Sequence, residues 1–479
     1  MDNIYVNTNS GPTTPPTPSV TTPPAPSAVP QQQTPPPPVV PPPPKKKFPR
    51  ALIFAGVGIV VLLLVFLVVR LLGSRGKTSG EIIWWGLWED TSIIESLITE
   101  YESANSGVDI TYVKQSPQDY RERLTNALAK GQGPDIFRFH NTWGPMFRND
   151  LDMVPSSVIN AADFAKNFYP VASSDLTIGT GIVGIPLDYD ALTLYINEDI
   201  LNKSGKTPPA TWDDLRVLAR ELTVKDDRGV ITQSGVALGR TENVDHWPEI
   251  LAVMMIQNGV DLTDPTGKPA EDALNFFTIF STVDGVWDAT LPASTAAFAG
   301  GKLAMYIAPS WRAFEVYDQN PNLKFKTVPL PQLPKDNPSD PDITYATYWV
   351  EGVSARSTKK VIAWDFLKFL STQSSLTKLY TNAAKVRSFG EPYPRSDMAN
   401  LLSNHPILGS IISQAPGAQS WYLASRTFDG PTGINSQLAD YFEDAVNAVA
   451  TGKQTAGKAL QTAASGVQQI LGQYRLIAR

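Results

Sequence analysis

Residues 81–140 read EIIWWGLWEDTSIIESLITEYESANSGVDITYVKQSPQDYRERLTNALAKGQGPDIFRFH, and their order decides the fold class. Ile82-Ile83-Trp84-Trp85 is a short apolar run of the kind a buried strand makes. Ser92-Ile93-Ile94-Glu95 has capping-box spacing and opens a helix with Ile94, Leu97, Ile98 and Tyr101 on one face. Val108–Val113 alternates as a strand, and a helix follows through Tyr120, Leu124 and Leu128. Gly131-Gln132-Gly133-Pro134 stops that helix before a strand at Ile136–Phe139. Strand, helix, strand, helix, strand predicts an α/β fold with a parallel sheet and helices on its faces. Such sheets hold ligands beyond the carboxyl ends of their strands. That points to Gly86–Asp90, His140–Gly144 and Leu187–Asp190.

The pattern continues toward the C-terminus. Thr211-Trp212-Asp213-Asp214 is a second capping box, opening a helix through Leu215, Leu218 and Leu222. Leu303–Ile307, Phe325–Val328 and Tyr345–Val353 read as strands; Val361–Leu370, Ile434–Ala450 and Gln454–Tyr474 read as helices. The charged run Lys225–Arg228 is a turn. No repeat and no linker interrupts 81–479, which predicts two lobes with the chain crossing between them.

Toward the N-terminus the composition changes. Of the 41 prolines, sixteen lie between Pro12 and Pro44. That stretch lacks the apolar content to offset the entropy of folding, so residues 1–50 are expected to be disordered, with polyproline II character and a basic flank of Lys45, Lys46, Lys47 and Arg50. Ala51–Val69 is nineteen residues without a charge. At about 1.5 Å per residue it matches a hydrocarbon layer of roughly 30 Å. A buried core helix would be amphipathic, and this segment is apolar on every face, so 51–72 is expected to be a single transmembrane helix and 73–80 a flexible tether. Arg70-Leu71-Leu72 follows in place of a small-residue cleavage site, which favours an uncleaved anchor. The basic residues before the span outnumber those after it (Arg70, Arg75, Lys77), placing the tail in the cytoplasm and the large body outside.

Apolar residues make up 42% of the 479-residue chain and charged residues 18%, enough to bury a sizeable core. Cysteine is absent, which removes disulfides, thiolate nucleophiles and a lipoprotein anchor. The three histidines (His140, His246, His405) have no metal-ligand spacing. The net charge is −6, and the basic flank belongs to the tail, so the body is more acidic than the whole. An acidic body without a basic stripe argues against nucleic acid as a partner. No P-loop, G-x-S-x-G or zinc motif is present, and no cofactor is expected.

Read in order, several segments resemble the extracellular solute-binding proteins of sugar-importing ABC transporters, the family that includes maltose-binding protein. They are IIWWGLWEDTSIIESLITEYE, VDITYVKQSPQDYRERLTNALAKGQGPDIF, GIPLDYDALTLYINEDIL followed by PPATWDDLRVLARELT, AFAGGKLAMYIAPSW, and GVSARSTKKVIAWDFLKFLS. Together they cover most of 81–479 in the family's order. Pro309-Ser310-Trp311 departs from the family's Gly-x-Trp, and Tyr348–Gly352 replaces a more Gly-rich stretch. The resemblance implies a two-lobed periplasmic-binding-protein-like fold with a hinge and a central cleft, the first lobe at 81–189 plus 351–392 and the second at 190–350 plus 393–479. It also implies a carbohydrate ligand and ABC permease subunits as partners.

A sugar presents flat C–H faces and rings of hydroxyls, so its site needs aromatic platforms with carboxylates and amides to fix orientation. The eleven tryptophans all fall between 84 and 421. Trp212 and Trp364 sit in amphipathic helices as core, as does one of Trp84 and Trp85. Trp88 and Trp143 lie past strand ends, and Trp247 and Trp349 are further candidates. By the resemblance, Trp311 and Trp421 stack on the ligand and Asp190 contacts its hydroxyls. Glu89, Asn141, Thr142 and Asp188 complete the candidate set at predicted strand ends, with Arg387 open between a cleft donor and a surface charge. The leading reading is therefore a membrane-anchored carbohydrate receptor without catalytic activity. The alternatives are a cell-wall glycoside hydrolase, which needs two carboxylates roughly 5–9.5 Å apart flanking the bond, and a carbohydrate-binding adhesin. Asp188 and Asp190 could mimic such a pair, but the two are expected to point apart.

Overall fold

The computed structural model describes residues 79–335 and 337–477. Among them no helix is long and apolar enough to cross a membrane. The tail expected over 1–50 and the helix expected over 51–72 lie outside the described residues, as does most of the tether; Gly80 already opens the first strand.

Two five-stranded sheets organise the body. In the first, Gly80–Gly86 lies between Val108–Lys114 and Ile136–His140, all parallel, and Trp84 is level with Tyr112 and Ile136. Trp349–Val353 then pairs antiparallel with Ile136–His140, and Ile185–Pro186 closes the edge. The expected parallel sheet is thus present, with an antiparallel strand from far along the chain added to it. In the second sheet Thr193–Asn197 runs antiparallel to both Phe325–Val328 and Leu303–Ala308, and Ile231–Val236 lies parallel to Leu303–Ala308.

The helices pack as their periodicity requires. Thr91–Ala104 buries Ile93, Ile94, Leu97, Ile98 and Tyr101. Its capping box does not form: the helix starts at Thr91, so Ser92 is already its second residue, and the N-cap Asp90 gives its carboxylate to Lys114 at 2.6 Å. The second box does form, Thr211 Oγ1 accepting from the Asp214 amide at 3.1 Å to cap Trp212–Leu222. Trp84, Trp212 and Trp364 are buried, while Trp85 is only partly so. Each wholly buried large side chain contributes about 1.5–3 kcal/mol relative to exposure.

The stretch Tyr345–Val353, which reads as one strand, is two. Thr344–Tyr345 pairs with Ala418–Gln419, and Trp349–Val353 belongs to the first sheet. Between them the chain crosses from one sheet to the other. It does so beside Leu187–Leu192, which crosses the opposite way. The two crossings are hydrogen bonded antiparallel: Leu192 N donates to Tyr345 O at 2.8 Å and Thr347 N to Asp190 O at 2.9 Å.

Candidate functional site

The paired crossings carry two carboxylates, one toward each sheet. Asp188 Oδ1 accepts from the Trp349 amide at 3.2 Å, on the first sheet. Asp190 turns the other way and accepts from the Ser310 amide (3.0 Å), Ser310 Oγ (2.8 Å) and the Trp311 amide (3.3 Å), just past Leu303–Ala308. Residues two apart on a regular strand would share a face; 187–190 lie outside any regular strand, and the irregular backbone turns the two carboxylates apart. Burial pushes the Asp188 carboxyl well up despite Arg138. Burial also raises Asp190 to about 7, with the Ser310 donors pulling the other way.

Beneath Asp188 lies a buried ion cluster. Arg138 Nε donates to Glu351 Oε1 at 2.7 Å, its Nη1 donates to Glu89, and Trp84 Nε1 donates to the other Glu351 oxygen at 2.9 Å. Burial works against charge on Arg138, but Glu351, Glu89 and Asp188 outweigh it and hold the guanidinium protonated. Glu89 is thereby fixed at the end of the first strand, as expected, with a cation the sequence reading did not single out. A cavity of about 30 Å³ bordered by Glu89, Arg138, Asp188, Arg387 and Glu391 adjoins the cluster; at ~10–15 Å³ each it has room for two or three waters. Arg387 Nη1 pairs with Glu391 at 2.7 Å and the guanidinium lies 4.9 Å over the Phe314 ring, so it is not a free surface charge, while its Nε and Nη2 are buried without a hydrogen-bond partner.

Trp349 is the hub of the aromatic groups. Its ring meets Trp88 at 5.6 Å, Trp143 at 5.4 Å and His140 at 5.2 Å, all edge to face. Trp88 is 36% exposed and also meets Phe428 at 5.8 Å. Trp143 is a correction. Its ring is wholly buried against Tyr120, Phe147 and Trp349, because Asn141–Trp143 form a 3₁₀ turn that carries it inward, so it backs Trp349. His140, pushed down to about 3 by burial, is neutral and bonds Thr142 and Thr347.

Asn141, Thr142 and Trp421 come together at a second place. With Asp175, Ser420 and Tyr422 they line a cavity of about 430 Å³, within the range of roughly 300–1,000 Å³ usual for ligand sites. Asp175 accepts from Asn141 Nδ2 (2.8 Å) and Tyr348 Oη (2.7 Å), and burial raises it to about 6.

Trp311 is partly buried beyond Asp190, with the Arg312 guanidinium 4.3 Å over its ring and His246 edge-on at 5.5 Å. Arg312 Nε donates to His246 Nε2 at 2.8 Å. Trp247 is buried in the first turn of Trp247–Gln257, adjacent to that histidine. No cluster of histidine, aspartate and glutamate able to hold a metal occurs among the described residues. Arg138, Glu351, Asp175 and Phe428 are the groups that sequence reasoning missed. A signal existed for Arg138, the one cation within the apolar strand Ile136–His140.

A family model described as "Bacterial extracellular solute-binding protein" matches residues 96–395. The chain is 22% identical over 314 residues to the maltotriose-binding protein of Pyrococcus abyssi, a match covering 63% of this chain and 64% of that one. It is 22% identical over 364 residues to a probable ABC transporter-binding protein of Deinococcus radiodurans, covering 72% and 81%. Among solved structures, the sugar-binding protein MalE of Xanthomonas citri superposes with a TM-score of 0.66 at 17% identity, over 83% of this chain and 98% of that one. The solute-binding protein of Thermotoga lettingae bound with α-D-tagatose does so with 0.63 at 21%, over 82% and 100%. The fold is the two-lobed α/β architecture these proteins share, one lobe on each sheet.

Proposed function

Because the chain belongs to the bacterial extracellular solute-binding protein family, we propose that it is a receptor that captures a carbohydrate between its lobes and delivers it to an ABC permease. The observation that carries the reading is the pair of antiparallel crossings, with Asp188 and Asp190 aimed into opposite lobes and tryptophans gathered on each side. These two crossings, with a third where the chain returns near Pro392 beside Tyr189 (Tyr189 N donates to Pro392 O at 3.0 Å), form the hinge. Rotation about them brings Trp88, Glu89 and Trp349 of one lobe toward Trp311 and Asp190 of the other, and a ligand shifts that equilibrium through its greater affinity for the closed form.

The rings supply platforms for sugar C–H faces, and Asn141, Thr142, Asp188 and Asp190 supply acceptors and donors for hydroxyls. Trp421 and the 430 Å³ cavity extend the site on the Asn141 side. Trp247 supports Trp311 through His246. The first lobe takes 81–189 and the expected 351–392, extended back to 349 because Trp349–Val353 pairs in the first sheet, and the second takes 190–348 and 393–479. An anchor at 51–72 holds this body outside the membrane, with 1–50 in the cytoplasm.

Relatives bound to maltotetraose, mannotriose and α-D-tagatose supply the first ligands to try. The full-length chain should be melted with each of these and with maltotriose. A ligand at 100 times its dissociation constant adds about 2.7 kcal/mol of stability. Stabilisation with the sugar recovered intact supports the receptor. Hydrolysis of the sugar, or no shift with any sugar tried, overturns it.

A further inference from the structure

Arg426 and Phe428 both have positive φ, 57° and 56°. A left-handed conformation is uncommon for a non-glycine residue and an outlier for a bulky one, and such strain persists only where the surroundings impose it. On one side the turn is rooted in the second lobe. Ser425 donates from its amide (2.6 Å) and hydroxyl (2.9 Å) to Glu249, and Arg426 reaches Asp245 at 3.2 Å. Asp429 accepts from the Asn435 amide (2.7 Å) and Ser436 Oγ (2.6 Å), closing the start of the helix Ile434–Ala450.

On the other side the same turn is held by the first lobe. Arg121, in the helix Tyr120–Ala129, donates from Nε to the Asp429 carbonyl and from Nη2 to Thr432 Oγ1 at 2.6 Å. Thr142 Oγ1 donates to Asn435 Oδ1 at 2.9 Å, and the Phe428 ring lies against Trp88. Strain, one Arg121 hydrogen bond and an aromatic contact thus converge on the six residues Ser425–Gly430, with two further first-lobe donors reaching Thr432 and Asn435 just beyond them.

We propose that the turn Ser425–Gly430 is a clasp, with Arg121 the positioning residue that locks it and Phe428 a specificity-determining wall of the ligand site. The left-handed backbone at Arg426 and Phe428 turns the Asp429 carbonyl to Arg121 and the Phe428 ring to Trp88 at once. A phenyl ring offers no hydrogen bond, so beside Trp88 it selects a sugar by an apolar C–H face. This rests on the receptor reading above.

The test uses the full-length chain, which has no cysteine of its own, labelled with a dye pair at Glu95→Cys and Lys203→Cys, one exposed position on each lobe. Maltotriose, mannotriose and α-D-tagatose are the probes. Arg121→Met removes two hydrogen bonds from a charged donor. It should raise the dissociation rate roughly tenfold or more while leaving association and the ligand-free unfolding midpoint nearly unchanged. Arg121→Lys, which keeps the charge but not the fork, should recover only part of the loss. Phe428→Ala should weaken binding about tenfold and lower the preference among the three sugars. A wild-type chain that neither binds nor closes on any of them overturns the receptor reading itself. A wild type that closes normally, with Arg121→Met and Phe428→Ala indistinguishable from it, overturns the clasp alone. Loss of the fold in Phe428→Ala makes that ring core and removes it from the proposal, leaving the dissociation rates of the two Arg121 variants to decide.

Discussion

Replacing Arg138 by methionine strips the shared cation from two buried carboxylates while roughly conserving volume. Arg138 is 3% exposed, Glu351 0% and Glu89 8%, so water does not take the guanidinium's place. Breaking a buried ion pair from one side costs about 3–5 kcal/mol, because the orphaned charge stays desolvated. By the 1.4 kcal/mol per factor of ten that is roughly two to three and a half decades in the folding equilibrium. The loss carries a pH signature. Glu351 is already raised by burial and lowered again by Arg138; without the arginine it rises further above its unfolded value near ~4.3. A carboxyl raised by folding contributes its stability below the unfolded pKa and loses it as pH rises through the folded one. The deficit of Arg138→Met should therefore be greatest at pH 8 and shrink toward pH 5. Adding Glu351→Gln should restore part of it, since the amide needs no counter-charge. Urea unfolding followed by tryptophan fluorescence reads all three effects, as midpoint shifts at constant slope. A variant within about 0.5 kcal/mol of wild type at pH 8 would refute the reasoning, as would a deficit unaffected by both pH and Glu351→Gln.

Trp311→Ala should weaken sugar binding roughly thirty-fold with little change in the ligand-free melting temperature; a core role would instead cost about 3–5 kcal/mol of stability and identify itself by an early melt. Asp190, raised to about 7 in the fold, should make the wild type lose stability between pH 4 and pH 7, and Asp190→Asn should flatten that slope; identical pH profiles would show that the carboxyl is not raised. Protease added to spheroplasts should release the two-lobed body and spare a tag at residue 1, whereas loss of the tag would invert the proposed topology.

Most of the secondary structure could be read from local pattern. Helix faces such as Leu215, Leu218 and Leu222 follow from spacing alone, and the cap at Thr211 from one residue's chemistry. Asp188 and Asp190 do point apart as expected, but not by strand alternation, which would put residues two apart on one face; 187–190 form no regular strand. What failed depends on partners distant in sequence. Tyr345–Trp349 carries no local breaker, and its break is set by pairing with Leu187–Leu192 on the way between sheets. Arg138 finds its carboxylates 49 and 213 residues away. Trp143 looked like a ligand contact because it follows a strand end beside polar residues, yet a single 3₁₀ turn carries its ring inward. Phe428 carries no signal at all: nothing local asks a phenylalanine to take a positive φ.

The antiparallel strand Trp349–Val353 also dictates how this chain must be made. It sits between Ile136–His140 and Ile185–Pro186, and it leaves the ribosome about two hundred residues after the strand it pairs with, His140 opposite Trp349. At roughly 5–20 residues per second, the first sheet waits some 10 to 40 s with a central edge unpaired. Pairings so distant along the chain close slowly, and an uncovered apolar edge invites association with other chains. The first sheet of the nascent chain therefore cannot close before residue 353 has emerged.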